Sequence, residues 1–253
     1  MKTALFTVLA LAVAVNASAA TKLTFSHVKM KSEAGSATEK KLGSFDIDFI
    51  QIAAAPGQKL SPAQIKVNQL MREEAKNLPC GVGAEGTDDL SNQSVFMKSN
   101  VTFISPRLLA ISRGLDTDCG GAHPDSGSIS KIFDLETAQE IDIRTGKAPN
   151  YDSPTATQKA VDAVIMAAMK AQAKKEIASL GADDECSQTY SDLSFYTTDI
   201  SLTPKALIVQ NDEPHVSMAC QFKTTIPLTA FSKVAPKGSL LAELAAGAAK
   251  LKK

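Results

Sequence analysis

Histidine is the side chain best suited to proton transfer or metal ligation near neutral pH, and this chain has three, His27, His123 and His215. They lie far apart, and none belongs to an H-x-x-x-H or H-E-x-x-H pattern, so no helix face collects two of them as zinc ligands. His123 has the most pointed surroundings, Cys119-Gly120-Gly121-Ala122-His123-Pro124. Two adjacent glycines admit backbone angles that side chains forbid, and Pro124 disfavours the helical region for His123, so the stretch reads as a tight, fixed reversal. If the chain is an enzyme, His123 with Asp134 forms the candidate acid, base or ligand pair. If it is a binding module, Gly120, Gly121, His123 and Asp125 are the candidate contacts. His123 can also simply brace its own turn by bonding Asp134 or Asp125, and the sequence favours that role over catalysis.

Other chemistries find less support. Asp125-Ser126-Gly127-Ser128 is not the G-x-S-x-G elbow of a serine nucleophile. Asp183-Asp184-Glu185 lacks the glycine and the spaced oxygen ligands of a calcium loop and reads as solvated. No glycine loop that could cradle phosphate precedes a helix. The expectation is therefore no metal, no cofactor and no strong catalytic signal.

Compartment is easier to read. Met1 to Ala19 carries Lys2, an apolar run from Ala4 to Val15, and Ala17-Ser18-Ala19 where a signal peptidase needs small residues. About twelve apolar residues are too few for a spanning helix, which needs about twenty. Export to the periplasm or beyond is expected, with cleavage near Ala19 and no membrane span. The chain has 27 Lys+Arg against 27 Asp+Glu, and losing Lys2 with the signal leaves a slight acidic excess. That balance gives no electrostatic reason to expect nucleic acid or an anionic membrane as partner.

An oxidising destination bears on Cys80, Cys119, Cys186 and Cys220. Three connectivities are possible. Cys80–Cys119 with Cys186–Cys220 is favoured, because each bond then staples one half of the chain. In the chain-entropy picture each contributes on the order of 3–4 kcal/mol before strain.

The elements that must position these residues follow from periodicity. Phe45, Ile47 and Phe49 alternate with Asp46 and Asp48 as in a half-buried strand. Ser61-Pro62-Ala63-Gln64 is a helix start, with a capping serine, proline at the first helical position and glutamine three on. The helix it opens reaches about Leu78 and is expected to bury Ile65, Val67, Leu70, Met71 and Leu78. Two strands, 95–104 and 107–115, form a hairpin that delivers the chain into the Cys119 to Pro124 turn, and 129–135 is a further strand. A long helix runs from Pro154 to Leu180, with Val161, Ile165 and Met169 at helical spacing. A three-stranded meander and a last helix from about Leu240 follow. The expected class is α+β, an antiparallel sheet packed against two main helices. The expected divisions are 1–19, 20–150, 151–237 and 238–253, with a seam at Asn150–Pro154 inside what reads as one compact unit.

The order of strand, helix, hairpin, Gly-Gly-Ala-His-Pro, Ile132-Phe133-Asp134-Leu135, long helix and closing Thr225-Ile226-Pro227-Leu228 resembles a DUF3298-like extracytoplasmic region. That region is shared by RsiV-type anti-sigma factors and the non-catalytic N-terminal part of PdaC-type peptidoglycan deacetylases. The resemblance covers about Thr21 to Lys237. It implies the α+β fold and, from the anti-sigma members, lysozyme binding. Nothing here corresponds to the deacetylase catalytic domain or to the anti-sigma factors' membrane helix. The resemblance thus implies a module that recognises a lysozyme-like protein or a peptidoglycan fragment. The alternative expectation is an envelope glycan hydrolase or deacetylase-type enzyme built on His123 and nearby carboxylates.

Overall fold

The computed structural model describes residues 9–11, 23–32, 44–76, 93–119, 124–149, 156–180, 186, 190, 198–211 and 220–250. His123, Gly120, Gly121, His215 and Cys80 lie outside these residues, as does the seam expected at Asn150–Pro154. The fold is mixed α+β, with two sheets and three α-helices among the described residues. In the larger sheet the strands follow in chain order: β1 (Leu9–Leu11), β2 (Thr24–Ser32), β3 (Ser44–Ala53), β4 (Ser94–Ile104), β5 (Leu108–Asp118), β6 (Asp125–Asp134) and β7 (Gln139–Glu140). The chain divides into two compact units, and the division runs through β6. Met1–Ile129 and Asp134–Ala138 form the first, Ser130–Phe133 and Gln139–Lys253 the second.

In the first unit β2 pairs antiparallel with β3, and β4 with β5. The expectation of an antiparallel sheet needs one correction, since β3 and β4 run parallel. A parallel pair needs a crossover, and helix α1 (Pro62–Lys76) lies in that connection. The capping box forms as its residue types require: Gln64 N–H donates to Ser61 Oγ (3.2 Å), and Ser61 N–H to Gln64 Oε1 (2.9 Å). Val67, Met71 and Ala75, four residues apart, are wholly buried. Ile65 is exposed instead of buried, because two residues from Val67 is about 200° around a helix. Asn68 fixes the helix by accepting from Ile52 N–H and donating to Ile52 C=O, both at 2.8 Å. The face of the sheet that meets Ala75 carries Ile47, Phe49, Val95 and Met97, flanked by Val28, Met30, Phe45 and Leu115.

The second unit is built on α2 (Ala156–Leu180), whose Val161, Ile165, Met169 and Ala173 form one buried stripe. The expected meander is present as β8 (Thr198–Leu202), β9 (Ala206–Asn211) and β10 (Lys223–Pro227), all antiparallel. A 3-10 turn at Leu228–Phe231 leads toward α3 (Leu240–Lys250), which buries Leu241, Ala245 and Ala248. Cys186–Cys220 is bonded, and Tyr190 meets Phe222 edge-on at 5.3 Å between ring centres. Two disulfides were expected. Among the described residues one is found, because the other would need Cys80, which lies outside them. No described helix is long and apolar enough to cross a membrane.

Candidate functional site

Strand register brings four side chains into one row across the first unit. Lys31 of β2 lies opposite Asp46 of β3, Asp46 beside Phe96 of β4, and Phe96 opposite Asp116 of β5. Because alternate residues share a face, these side chains stand on the face that Ile47, Val95 and Met97 do not use. The next row toward the strand ends is Ser44, Ser94 and Asp118. Where these strands end, a groove of about 460 Å³ opens, lined by both rows and by Phe45, Val95, Thr117 and Pro124. Lys31 Nζ is 2.5 Å from Asp46 Oδ2, and among the described residues the lining also carries the carboxylates of Asp116 and Asp118. Phe96 is 46% exposed, an unusual state for a large aromatic and one that gives the groove an apolar wall.

The ends of the expected Cys119 to Pro124 turn are fixed locally. Gln93 Nε2 donates to Cys119 C=O (3.3 Å), Gln93 C=O accepts from Ser44 N–H (2.9 Å), and Thr117 Oγ1 donates to Asp125 C=O (3.4 Å). Pro124 lines the groove and exposed Asp125 opens β6 beside it. Of the contacts expected from the sequence, Asp125 adjoins the groove through its neighbour Pro124, whereas the lining residues Asp46, Phe96, Asp116 and Asp118 were not singled out. A signal for Phe96 was available, since it occupies the polar phase of Ser94-Phe96-Lys98-Asn100.

Asp134, the other candidate, is buried at the end of β6. Its Oδ1 accepts from the N–H groups of Glu136 (2.8 Å) and Thr137 (3.1 Å), and its Oδ2 from Arg107 Nε (3.0 Å). Burial alone would push its pKa up. The Glu136 N–H, the Arg107 side chain, the Thr137 N–H and the Arg107 charge outweigh that and hold it below the usual aspartate value. Asp134 therefore acts as a turn brace, stabilising a reversal in which Ala138 takes a φ of 59°. His27 Nδ1 lies 2.7 Å from Asp48 Oδ1, on the outward face of β2 and β3.

The second unit holds a different carboxylate cluster. Asp142 and Arg144 belong to the turn 142–147, closed by Asp142 N–H to Lys147 C=O (2.7 Å) and by Gly146 N–H to Asp142 C=O (2.7 Å), with Gly146 at φ 66°. Arg144 donates through Nε and Nη2 to Asp142 (2.9 and 2.6 Å) and through Nη1 to Asp162 of α2 (3.2 Å). Among the described residues no group of three or more His, Cys, Asp or Glu side chains is arranged to hold a metal ion.

No family model matches the chain, and no curated protein matches it. Solved structures do. A DUF3298 family protein from Pseudomonas aeruginosa shares the fold with a TM-score of 0.50 and 13% identity, over 85% of this chain and 94% of that one. A DUF3298 family member from Bacteroides fragilis does so with a TM-score of 0.52 and 12% identity, over 90% and 99%. The fold is DUF3298-like. At 12–13% identity the likeness concerns the fold, and the DUF3298-like order of elements expected from the sequence agrees with it.

Proposed function

We propose that this chain is an exported binding module of the cell envelope, periplasmic or secreted after a cleavage near Ala19 that removes the edge strand β1 and keeps β2 to β7, and that it recognises a lysozyme-like hydrolase. The observation that carries the reading is the groove at the ends of β2 to β5, whose described lining carries the carboxylates of Asp46, Asp116 and Asp118 with Lys31, beside an exposed Phe96. Carboxylates around an aromatic wall suit a basic protein surface, steering encounter by charge and anchoring it by apolar contact. The RsiV-type and PdaC-type resemblance points the same way, and a peptidoglycan fragment is the second ligand it suggests.

The test is a calorimetric titration of the oxidised chain, without residues 1–19, against a c-type lysozyme, with lysozyme activity read in the same series and soluble peptidoglycan fragments as the second titrant. Saturable lysozyme binding is expected, and Asp116→Lys should weaken it about tenfold or more by placing like charges together. Binding that Asp116→Lys and Phe96→Ala leave untouched would move the contact away from the groove. No binding to either ligand would overturn the proposal.

A further inference from the structure

The Asp142–Arg144–Asp162 cluster sets two carboxylates against one guanidinium, and the three side chains are 8%, 9% and 18% exposed. A buried cluster with one excess negative charge is costly unless hydrogen bonds or a further positive charge offset it. The offset is divided unequally. Asp142 accepts from Arg144 Nε and Nη2 and from the Arg144 backbone N–H (2.9 Å), whereas Asp162 accepts from Arg144 Nη1 at the longer distance of 3.2 Å. Asp162 is thus the carboxylate with the fewer donors, the one at which neutralisation gives up least hydrogen bonding.

We infer that Asp162 is a proton-binding site that strengthens the hold of helix α2 on the 142–147 turn as pH falls. Adding one proton there turns a cluster of net charge −1 into a neutral one and leaves the Asp142–Arg144 pair intact. Among the described residues the charged groups acting on Asp162 are Arg144 and Asp142, both from the turn. Lys159, one turn earlier on α2, is exposed, and Gln158 and Ile165 on the same helix carry no charge. Burial, the first cause, and the Asp142 charge both favour the protonated carboxyl, and together they outweigh the attraction of Arg144. The direction in pH follows. The folded state holds the Asp162 proton more tightly than the unfolded chain does. This contribution to stability is present below the unfolded aspartate value, about 3.9, and is lost as pH rises through the folded one.

Carboxyl ¹³C NMR of the oxidised chain, titrated from pH 3 to 7, tests the site directly, with Asp162→Asn assigning the resonance. Asp162 is expected to titrate above the ordinary aspartate value. A midpoint at or below that value would overturn the inference, and this holds on the wild-type chain alone if Asp162→Asn fails to fold. Amide-exchange protection factors in the first turns of α2 supply the second readout. They should rise in the wild type between pH 7 and a pH below the Asp162 midpoint found by NMR, and stay level in Asp162→Asn, whose neutral side chain has the shape of the protonated acid. Equal protection at both pH values in the wild type would remove the acid-strengthened hold.

Discussion

Asp134 in the first unit and Asp162 in the second are both carboxylates withdrawn from water and paired with an arginine, yet their pKa values move in opposite directions. Burial acts on both in the same sense and is the largest cause for each. The difference lies in the donors. Asp134 receives two backbone N–H groups besides Arg107, while Asp162 shares Arg144 with Asp142 and feels that neighbour's negative charge. An arginine in contact with a carboxylate therefore does not decide whether the carboxylate is comfortable. The number of donors aimed at it, and the number of carboxylates sharing them, does.

The comparison breaks most visibly at Arg144. Arg144→Met removes the guanidinium that both Asp142 and Asp162 face, leaving two buried carboxylates near each other, and should cost about 3–5 kcal/mol in urea unfolding at pH 7. Much of that loss should return at acid pH, where the carboxylates are neutral. A small, pH-independent loss would mean that the second cluster is as well supplied with donors as the first.

Asp134→Asn tests the other side. The amide oxygen can still accept, but the charge that strengthens three hydrogen bonds is gone, and a loss of about 1.5–3 kcal/mol at neutral pH is expected. Because the folded pKa of Asp134 lies below its unfolded value, its contribution is present above the unfolded pKa and disappears as pH falls through the folded one. Wild type and Asp134→Asn should accordingly converge in stability as the pH is lowered toward 2. Curves that stay parallel would show that the carboxylate charge contributes nothing.

The smallest effect sharpens the assignment of donors. Arg107 is half exposed, so Arg107→Ala should cost no more than about 1 kcal/mol, and Asp134 should still titrate below an ordinary aspartate in a carboxyl NMR experiment. Return of its midpoint to the ordinary value would make the arginine, rather than the Glu136 and Thr137 N–H groups, the decisive partner.

How far the sequence reached depends on how local each feature is. The capping box at Ser61 and Gln64 and the alternation of Phe45, Ile47 and Phe49 are written within a few residues of chain, and each formed as read. The parallel pairing of β3 with β4 joins residues fifty apart, as Phe45 with Val95, and nothing at either residue alone announces it. The groove was hidden for the same reason, since Lys31, Asp46, Phe96 and Asp116 become neighbours only once three registers are set. Asp134 was singled out as a partner for His123, but its partners Arg107, Glu136 and Thr137 depend on where the chain turns.

That parallel pair also bears on the order in which the first unit can assemble. The β4–β5 hairpin needs only the short reversal at Ser105 to Arg107, where Ser105 Oγ accepts from Leu108 N–H, and hairpins of this kind close in microseconds. Pairing of β3 with β4 must first close the long connection that contains α1, an entropic cost repaid only when Val67, Met71 and Ala75 dock. Substitutions at Met71 and at Ser105 should therefore both slow refolding and leave unfolding little changed, the helix acting as the rate-setting clasp and the hairpin being in place before it.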